Sequence, residues 1–181
     1  MALHTQRSFA VGSEWLYTKL YTSRARSDGL LVDVIAPFMQ RAHERREIDD
    51  WFFIRYADPQ PHLRVRCHGE PDLLLGRVLP ALRRALEPAL VAGEVERLVV
   101  DSYVRELERY GGDAGIELCE RVFVADSAAV LTLLATDDTQ RWYQALLGVD
   151  LLLSDLAPDM AHALSLVAEA RAGARSLAGA H

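Results

Sequence analysis

Between Asp50 and Gly69 the sequence DWFFIRYADPQPHLRVRCHG sets two strand-like runs around a loop that holds Asp58-Pro59 and Pro61. These prolines rule out a tight two-residue turn and leave the flanking runs to pair as a wider antiparallel hairpin. Side chains alternate faces along a strand, so His62, Arg64, Arg66 and His68 share one face and Leu63, Val65 and Cys67 the other. One face packs. The other meets something anionic, either a ligand or carboxylates on neighbouring elements.

The segments around the hairpin fit a layer of strands under a layer of helices. Ser13 to Thr22 (SEWLYTKLYT) alternates and predicts a strand with Trp15, Tyr17 and Lys19 on one face and Leu16, Thr18 and Leu20 on the other. Glu94 to Arg105 (EVERLVVDSYVR) alternates again and predicts a fourth strand. Leu31, Val34, Ile35, Phe38 and Met39 lie at helical spacing, which predicts a helix from about Gly29 to Arg46, capped by Asp28 and kinked or restarted at Pro37. Pro71 suits the first turn of a helix reaching about Leu86. Gly111-Gly112-Asp113 should turn into a helix that continues or restarts at Asp126 and ends near Thr136. From Thr139 the pattern stays helical in two segments divided at Pro158. The expected fold is α+β, a mainly antiparallel sheet of about four strands covered by helices and followed by a C-terminal helical hairpin. It reads as a single domain over residues 1–181, with a core at 14–134 and a helical C-terminal extension at 139–181.

With 181 residues, half of them hydrophobic, the chain is long enough to bury a core. Its net charge of −6 argues against general nucleic-acid binding, so any anion site must be local. Lys19 is the sole lysine among 20 basic side chains, which makes the arginine count a matter of composition and leaves position to carry the functional signal. Cys67 and Cys119 are too few for a zinc or disulfide framework and read as small core residues. Glu117, Glu120 and Asp126 do not make a metal set, and no H-x-x-x-H, C-x-x-C or P-loop pattern occurs, so neither metal nor organic cofactor is expected. Met1 to Gly12 lacks the apolar core of a signal peptide, and no later apolar run reaches the roughly 18 residues of a membrane span. The expected location is the cytoplasm.

Four motifs stand in a telling order: W-L-Y-x-K-L-Y on the first strand, W-F-F-I-R-Y-A-D-P-x-x-H-L-R-V-R-x-x-G at the hairpin, D-S-Y-V-R-E-L-E-R-Y-G-G after it, and E-x-x-F-x-x-D-S at Glu120, Phe123, Asp126 and Ser127. Over roughly Glu14 to Leu134 the chain resembles the thiopeptide-type bacteriocin biosynthesis domain. That family includes the glutamate-elimination domain of class I lanthipeptide dehydratases, stand-alone elimination proteins of thiopeptide pathways, and thiopeptide pyridine synthases. The resemblance implies action on a ribosomally made precursor peptide without metal or organic cofactor. In the elimination branch, a Ser or Thr esterified with glutamate from glutamyl-tRNA loses that glutamate to leave dehydroalanine or dehydrobutyrine, and a glutamylating enzyme is then an implied partner. In the pyridine-synthase branch, two dehydroalanines join in a formal [4+2] cycloaddition. Elimination members also draw a histidine from a later region, and neither His162 nor His181 lies in a matching motif, so no catalytic histidine is carried over from there. A third expectation is therefore a module that binds precursor peptide or completes a larger enzyme, its final amphipathic helices suiting a homodimer or hetero-oligomer.

β-Elimination needs a base for the α-proton, stabilisation of the enolate-like charge and a hold on the departing carboxylate, and the arginine fork serves the last two. Arg64 and Arg66 match the elimination family's paired arginines, and Arg109, just before Tyr110-Gly111-Gly112, matches a third. His62 joins them as a candidate base, its pKa expected to be depressed by adjacent arginines, with a turn-proximal histidine bonded to backbone as the alternative. His68, Tyr56 and Tyr103 are expected substrate contacts or half-buried sheet residues, and Gly111 and Gly112 a carboxylate site through free N–H groups at the helix start. Without such a function, Arg109 would pair with Glu106 or Glu108, and Arg66 with a carboxylate on a neighbouring strand.

Overall fold

The computed structural model describes residues 5–178, so His181 lies outside the described residues. Two compact units divide between Ala135 and Thr136. In the first, the strands in chain order are β1 (Ser8–Phe9), β2 (Trp15–Tyr21), β3 (Asp50–Tyr56), β4 (His62–His68), β5 (Arg97–Asp101) and β6 (Tyr103–Val104). The four longer ones form an antiparallel sheet ordered β3-β4-β2-β5. Its register sets Phe52, Arg66, Tyr17 and Asp101 side by side across the strands, with Ile54, Arg64, Lys19 and Val99 in the next row of the same face.

The opposite face is apolar. Leu16, Leu20, Leu63, Val65 and Cys67 pack there against Leu31, Ile35, Met39, Leu74, Val78 and Leu82 of two helical stretches. The first runs through α1 (Arg24–Gly29), a π-helical turn (Leu30–Ile35) and α2 (Ala36–Glu44); the second through α3 (Pro71–Leu73), a π-helical turn (Leu74–Val78) and α4 (Leu79–Val91). Each π turn ends two residues before a proline, Pro37 or Pro80. A proline ring crowds the carbonyl four residues back and offers no N–H, and the wider turn relieves both problems without ending the helix. The kink expected at Pro37 is thus a π turn. The helix also begins earlier than predicted, at Arg24, and Asp28 is not its cap but a salt-bridge partner of Arg55 on β3, at 2.6 Å.

The predicted fourth strand is two strands. Asp101 accepts the backbone N–H of Ser102 at 2.8 Å, the chain bends there, and β6 leaves the sheet to pair with β1. β1 has only two residues, too few for periodicity to reveal. A single helix, α5 (Gly112–Leu134), replaces the continuing-or-restarting pair and lies along the β3 edge, where the Phe53 N–H donates to Ser127 Oγ at 3.0 Å. Closing an edge this way removes a free pairing surface. A buried network fastens the helix: Arg105 reaches Glu120 with two bonds of 2.7 and 2.6 Å, and the Tyr103 hydroxyl donates to the same carboxylate at 2.8 Å. Two glycines with positive φ, Gly111 (80°) and Gly112 (73°), turn the chain into α5, and a Cβ on Gly115 would collide with the Tyr110 carbonyl.

The second unit is a helical hairpin, α6 (Asp138–Leu156) and α7 (Met160–Ala178). Asp137 caps α6 by accepting from the N–H groups of Thr139 and Gln140 at 3.0 Å, and Asp159 accepts from the N–H of His162 at 2.9 Å. Trp142, Leu146 and Val149 are exposed. Among the described residues, no helix is long and apolar enough to cross a membrane.

Candidate active site

The polar sheet face gathers the sequence candidates unequally. Arg66, at its centre, is only 7% exposed and is framed by rings, its guanidinium carbon 4.5 Å from the Tyr17 centroid, 4.6 Å from Tyr103 and 5.4 Å from Phe52. No carboxylate pairs with it among the described residues, and its buried Nε–H has no acceptor. Burial therefore lowers its pKa, with the nearby tyrosines opposing the shift. The strand-carboxylate partner that would make Arg66 merely structural is absent from the described residues.

Arg64, two residues away on the same face, stacks on Tyr56 at 3.5 Å and donates its Nε–H to His62 Nε2 at 3.1 Å. His62 Nδ1 lies 2.8 Å from the Gln60 carbonyl, and the ring stacks on Tyr21 at 4.9 Å. Its pKa is lowered chiefly by burial, with Arg64, Lys19 and Arg97 adding to the effect and the Gln60 bond opposing it. The turn-proximal histidine bonded to backbone and the neutral acceptor are thus the same residue, but its acceptor lone pair is already engaged by Arg64.

Lys19, unassigned by sequence reasoning, faces Arg64 across the β2–β4 register and pairs with Asp101 at 2.5 Å. That pairing raises the lysine pKa and lowers the aspartate's. Alternation in WLYTKLY gives its face, but only the strand register brings it beside Arg64.

Arg109 is exposed, pairs with Glu106 at 3.1 Å, which raises its pKa, and lies over its own neighbour Tyr110 at 5.6 Å. Tyr110 in turn packs edge-on against Phe123 of α5, which covers Phe52. Two expected substrate contacts are corrected. The Tyr103 hydroxyl is committed to Glu120, so the residue offers the face its ring and not its OH. The Gly112 N–H already donates to the Leu107 carbonyl at 2.7 Å, closing the turn and removing that donor from the expected carboxylate site. His68 sits at the far end of β4, about 20 Å from His62 at strand rise, with Nδ1 2.9 Å from Asp49 and its ring against Trp15. The two histidines cannot serve one reacting atom. Among the described residues, no three His, Cys, Asp or Glu side chains converge as metal ligands, and burial pushes the Cys67 thiol up to about 12.

On this face the structure brings Arg64 and Arg66 together with Lys19, while Phe9, Trp15, Tyr17, Phe52 and Tyr103 form a second buried cluster around the Arg66 end. Residues 15–179 match the family described as lantibiotic biosynthesis dehydratase, C-terminal. The chain is 36% identical over 117 residues to the subtilin biosynthesis protein SpaB of Bacillus subtilis, covering 65% of this chain and 11% of that one. It is 36% identical over 124 residues to the nisin biosynthesis protein NisB of Lactococcus lactis subsp. lactis, covering 67% and 12%. The chain thus spans about a seventh or less of the length of the curated relatives it matches. In fold it is similar to the tRNA-dependent lantibiotic dehydratase MibB from Microbispora sp. 107891, with TM-score 0.63 and 37% identity over 70% of this chain and 12% of that one. It is also similar to TsrL, with TM-score 0.57 and 25% identity over 77% and 40%. With the family match running from residue 15 to residue 179, nearly the whole chain, the protein belongs to the lantibiotic biosynthesis dehydratase C-terminal family.

Proposed function

We propose that this chain eliminates glutamate from glutamyl esters of Ser or Thr in a ribosomally made precursor peptide, leaving dehydroalanine or dehydrobutyrine. The observation that carries this reading is Arg66, a buried cation with an unpartnered Nε–H and no counter-ion among the described residues, beside Arg64 on the same face. A protein tolerates an uncompensated buried charge where a bound anion supplies the compensation.

In the reaction a base removes the α-proton of the esterified residue, the Cα–H electron pair becomes the Cα=Cβ bond, and the Cβ–O bond breaks to release glutamate as a carboxylate. Negative charge grows on the residue's carbonyl oxygen and then on the leaving group. Arg64 and Arg66 are the groups we assign to that charge, because a guanidinium stays protonated and offers paired donors to a carboxylate. Arg109 would swing from Glu106 to the glutamyl group, while Tyr56, Gly111 and His68 would border the peptide. The precursor peptide is the partner we infer, met in the cytoplasm after glutamylation by a separate catalytic unit. The exposed Trp142, Leu146 and Val149 support a protein partner for the helical hairpin, either a second copy or the glutamylating enzyme, which light scattering of the chain alone and mixed tests. Cycloaddition on this face is the weaker reading, since it leaves the arginine pair without a carboxylate to hold.

The test is intact-mass spectrometry of two peptides incubated with the purified chain, one carrying a glutamyl-serine ester and one carrying preformed dehydroalanines. Loss of glutamate from the first with the second unchanged is expected. An unchanged ester together with a cyclised second peptide would overturn the proposal in favour of the pyridine-forming branch, and binding without change in either would favour a peptide-binding module.

A further inference from the structure

We propose that His62 acts as a positioning residue, a neutral acceptor that aims Arg64 at the site and releases it when protonated; this deepens the elimination reading and rests on it for its catalytic consequence. The two partners of the ring leave one arrangement. The Gln60 carbonyl at 2.8 Å can only accept, so Nδ1 carries the proton; the Arg64 Nε–H at 3.1 Å can only donate, so Nε2 carries the lone pair. A ring in that tautomer is neutral and is not available as a base while Arg64 holds it.

The ring itself is fixed. His62 is 3% exposed and lies between Tyr21 at 4.9 Å and Tyr56 at 5.6 Å, and the same Tyr56 carries the Arg64 guanidinium on its face at 3.5 Å. Arginine has many rotamers, and an acceptor on Nε combined with a ring beneath the guanidinium removes most of them. What remains free on Arg64 is the outer edge of the fork, the part that would meet a carboxylate.

Protonation reverses the contact. An imidazolium has donors on both nitrogens, so Nε2–H would confront Nε–H, and two cations would stand in contact. The charged groups acting on His62 from the surrounding elements are cationic, Arg64 on its own strand, Lys19 on β2 and Arg97 on β5; Arg55 of β3 pairs in register with Leu63 on the other face, where Asp28 engages it. Tyr21 and Tyr56 supply the phenols. Burial first, and these cations after it, lower the pKa of the ring below the ordinary 6.5 against the opposing Gln60 bond.

The experiment has two independent readouts on the whole chain. Long-range ¹H–¹⁵N spectra of the imidazoles, assigned with His62→Gln, should show His62 as the Nδ1–H tautomer with a midpoint below 6.5, and Arg64→Leu should raise that midpoint. An Nε2–H tautomer, or a His62 signal indifferent to Arg64→Leu, would overturn the proposal whether or not the protein proves to be a lyase. Glutamate release from a glutamyl-serine peptide provides the second readout. His62→Leu should lower kcat by about ten- to a hundredfold, the scale of a misaimed catalytic group. His62→Gln should restore most of it, since the carboxamide oxygen reaches the place of Nε2, and should erase the acid limb of the pH profile. An inactive His62→Gln beside a folded spectrum would identify His62 as the base itself and refute the positioning role. A wild-type chain that releases no glutamate would refute the elimination reading, leaving the tautomer result to judge the His62–Arg64 contact.

Discussion

Replacing Arg66 with methionine should make this protein more stable and abolish its activity. The guanidinium is 7% exposed, without a carboxylate partner among the described residues, and its Nε–H is buried without an acceptor. Desolvating such an ion costs several kcal/mol even after relaxation. An unmet buried donor adds about 1–3 kcal/mol. Against this stand three ring contacts, at 4.5, 4.6 and 5.4 Å, which return about 1 kcal/mol each. Methionine keeps the unbranched stem and fills an irregular slot between rings without bringing a charge. The variant should therefore gain about 1–2 kcal/mol, the direction seen when buried charges give way to apolar isosteres. In a chain of this length that raises Tm by about 2–8 °C. Urea denaturation of both proteins, with the slope compared to confirm a like-for-like transition, reads the change directly. A loss of more than about 1 kcal/mol would refute the reasoning, because it would make Arg66 a buttress of the Tyr17, Phe52 and Tyr103 rings and not a cation held ready for a ligand.

Other outcomes follow from the same structure. Glu120→Ala strands Arg105, whose side chain is 9% exposed, and should cost about 3–5 kcal/mol in urea melts. Ser127→Ala leaves the Phe53 N–H on the β3 edge without its acceptor and should cost about 1–3 kcal/mol, with faster amide exchange at Phe53 as the local signature. Gly115→Ala sets a Cβ against the Tyr110 carbonyl and should lower stability by about 1–3 kcal/mol, read from the thermal midpoint. His62 has its folded pKa below 6.5, so the unfolded chain binds more protons in the window between the two values and stability must rise with pH there. The difference between wild-type and His62→Gln stability curves should show that contribution in full above 6.5 and lost as pH falls through the folded value.

Much of this was readable from the residues alone, and the reasons it stopped are physical. Period-two alternation gave the faces of β2, β4 and their neighbours, because a strand facing a helical layer must separate apolar from polar side chains. It could not give the register that sets Lys19 beside Arg64, since pairing is a property of two strands. Helical spacing found the stretches through Leu31 and Leu82, while the π turns before Pro37 and Pro80 left no mark except the prolines. The break at Ser102 escaped notice because EVERLVVDSYVR keeps alternating through it. At the site, the arginines were legible as a strand face, and the loss of Gly112 and of the Tyr103 hydroxyl to internal bonds was not. Hydrogen-bond partners 17 residues apart, such as Tyr103 and Glu120, are decided by packing.

The most direct measurement is the rate of glutamate release from a glutamyl-serine precursor peptide by the wild-type chain, by Arg64→Lys and by Arg66→Lys, with dehydroalanine formation followed in parallel by mass spectrometry. Lysine keeps the charge and removes the fork, so the account predicts one glutamate freed per dehydroalanine by the wild type and a loss of about 10²–10³ in rate for each variant with the fold intact. Wild-type turnover that survives both substitutions would contradict the claim that this paired-arginine face holds the departing carboxylate.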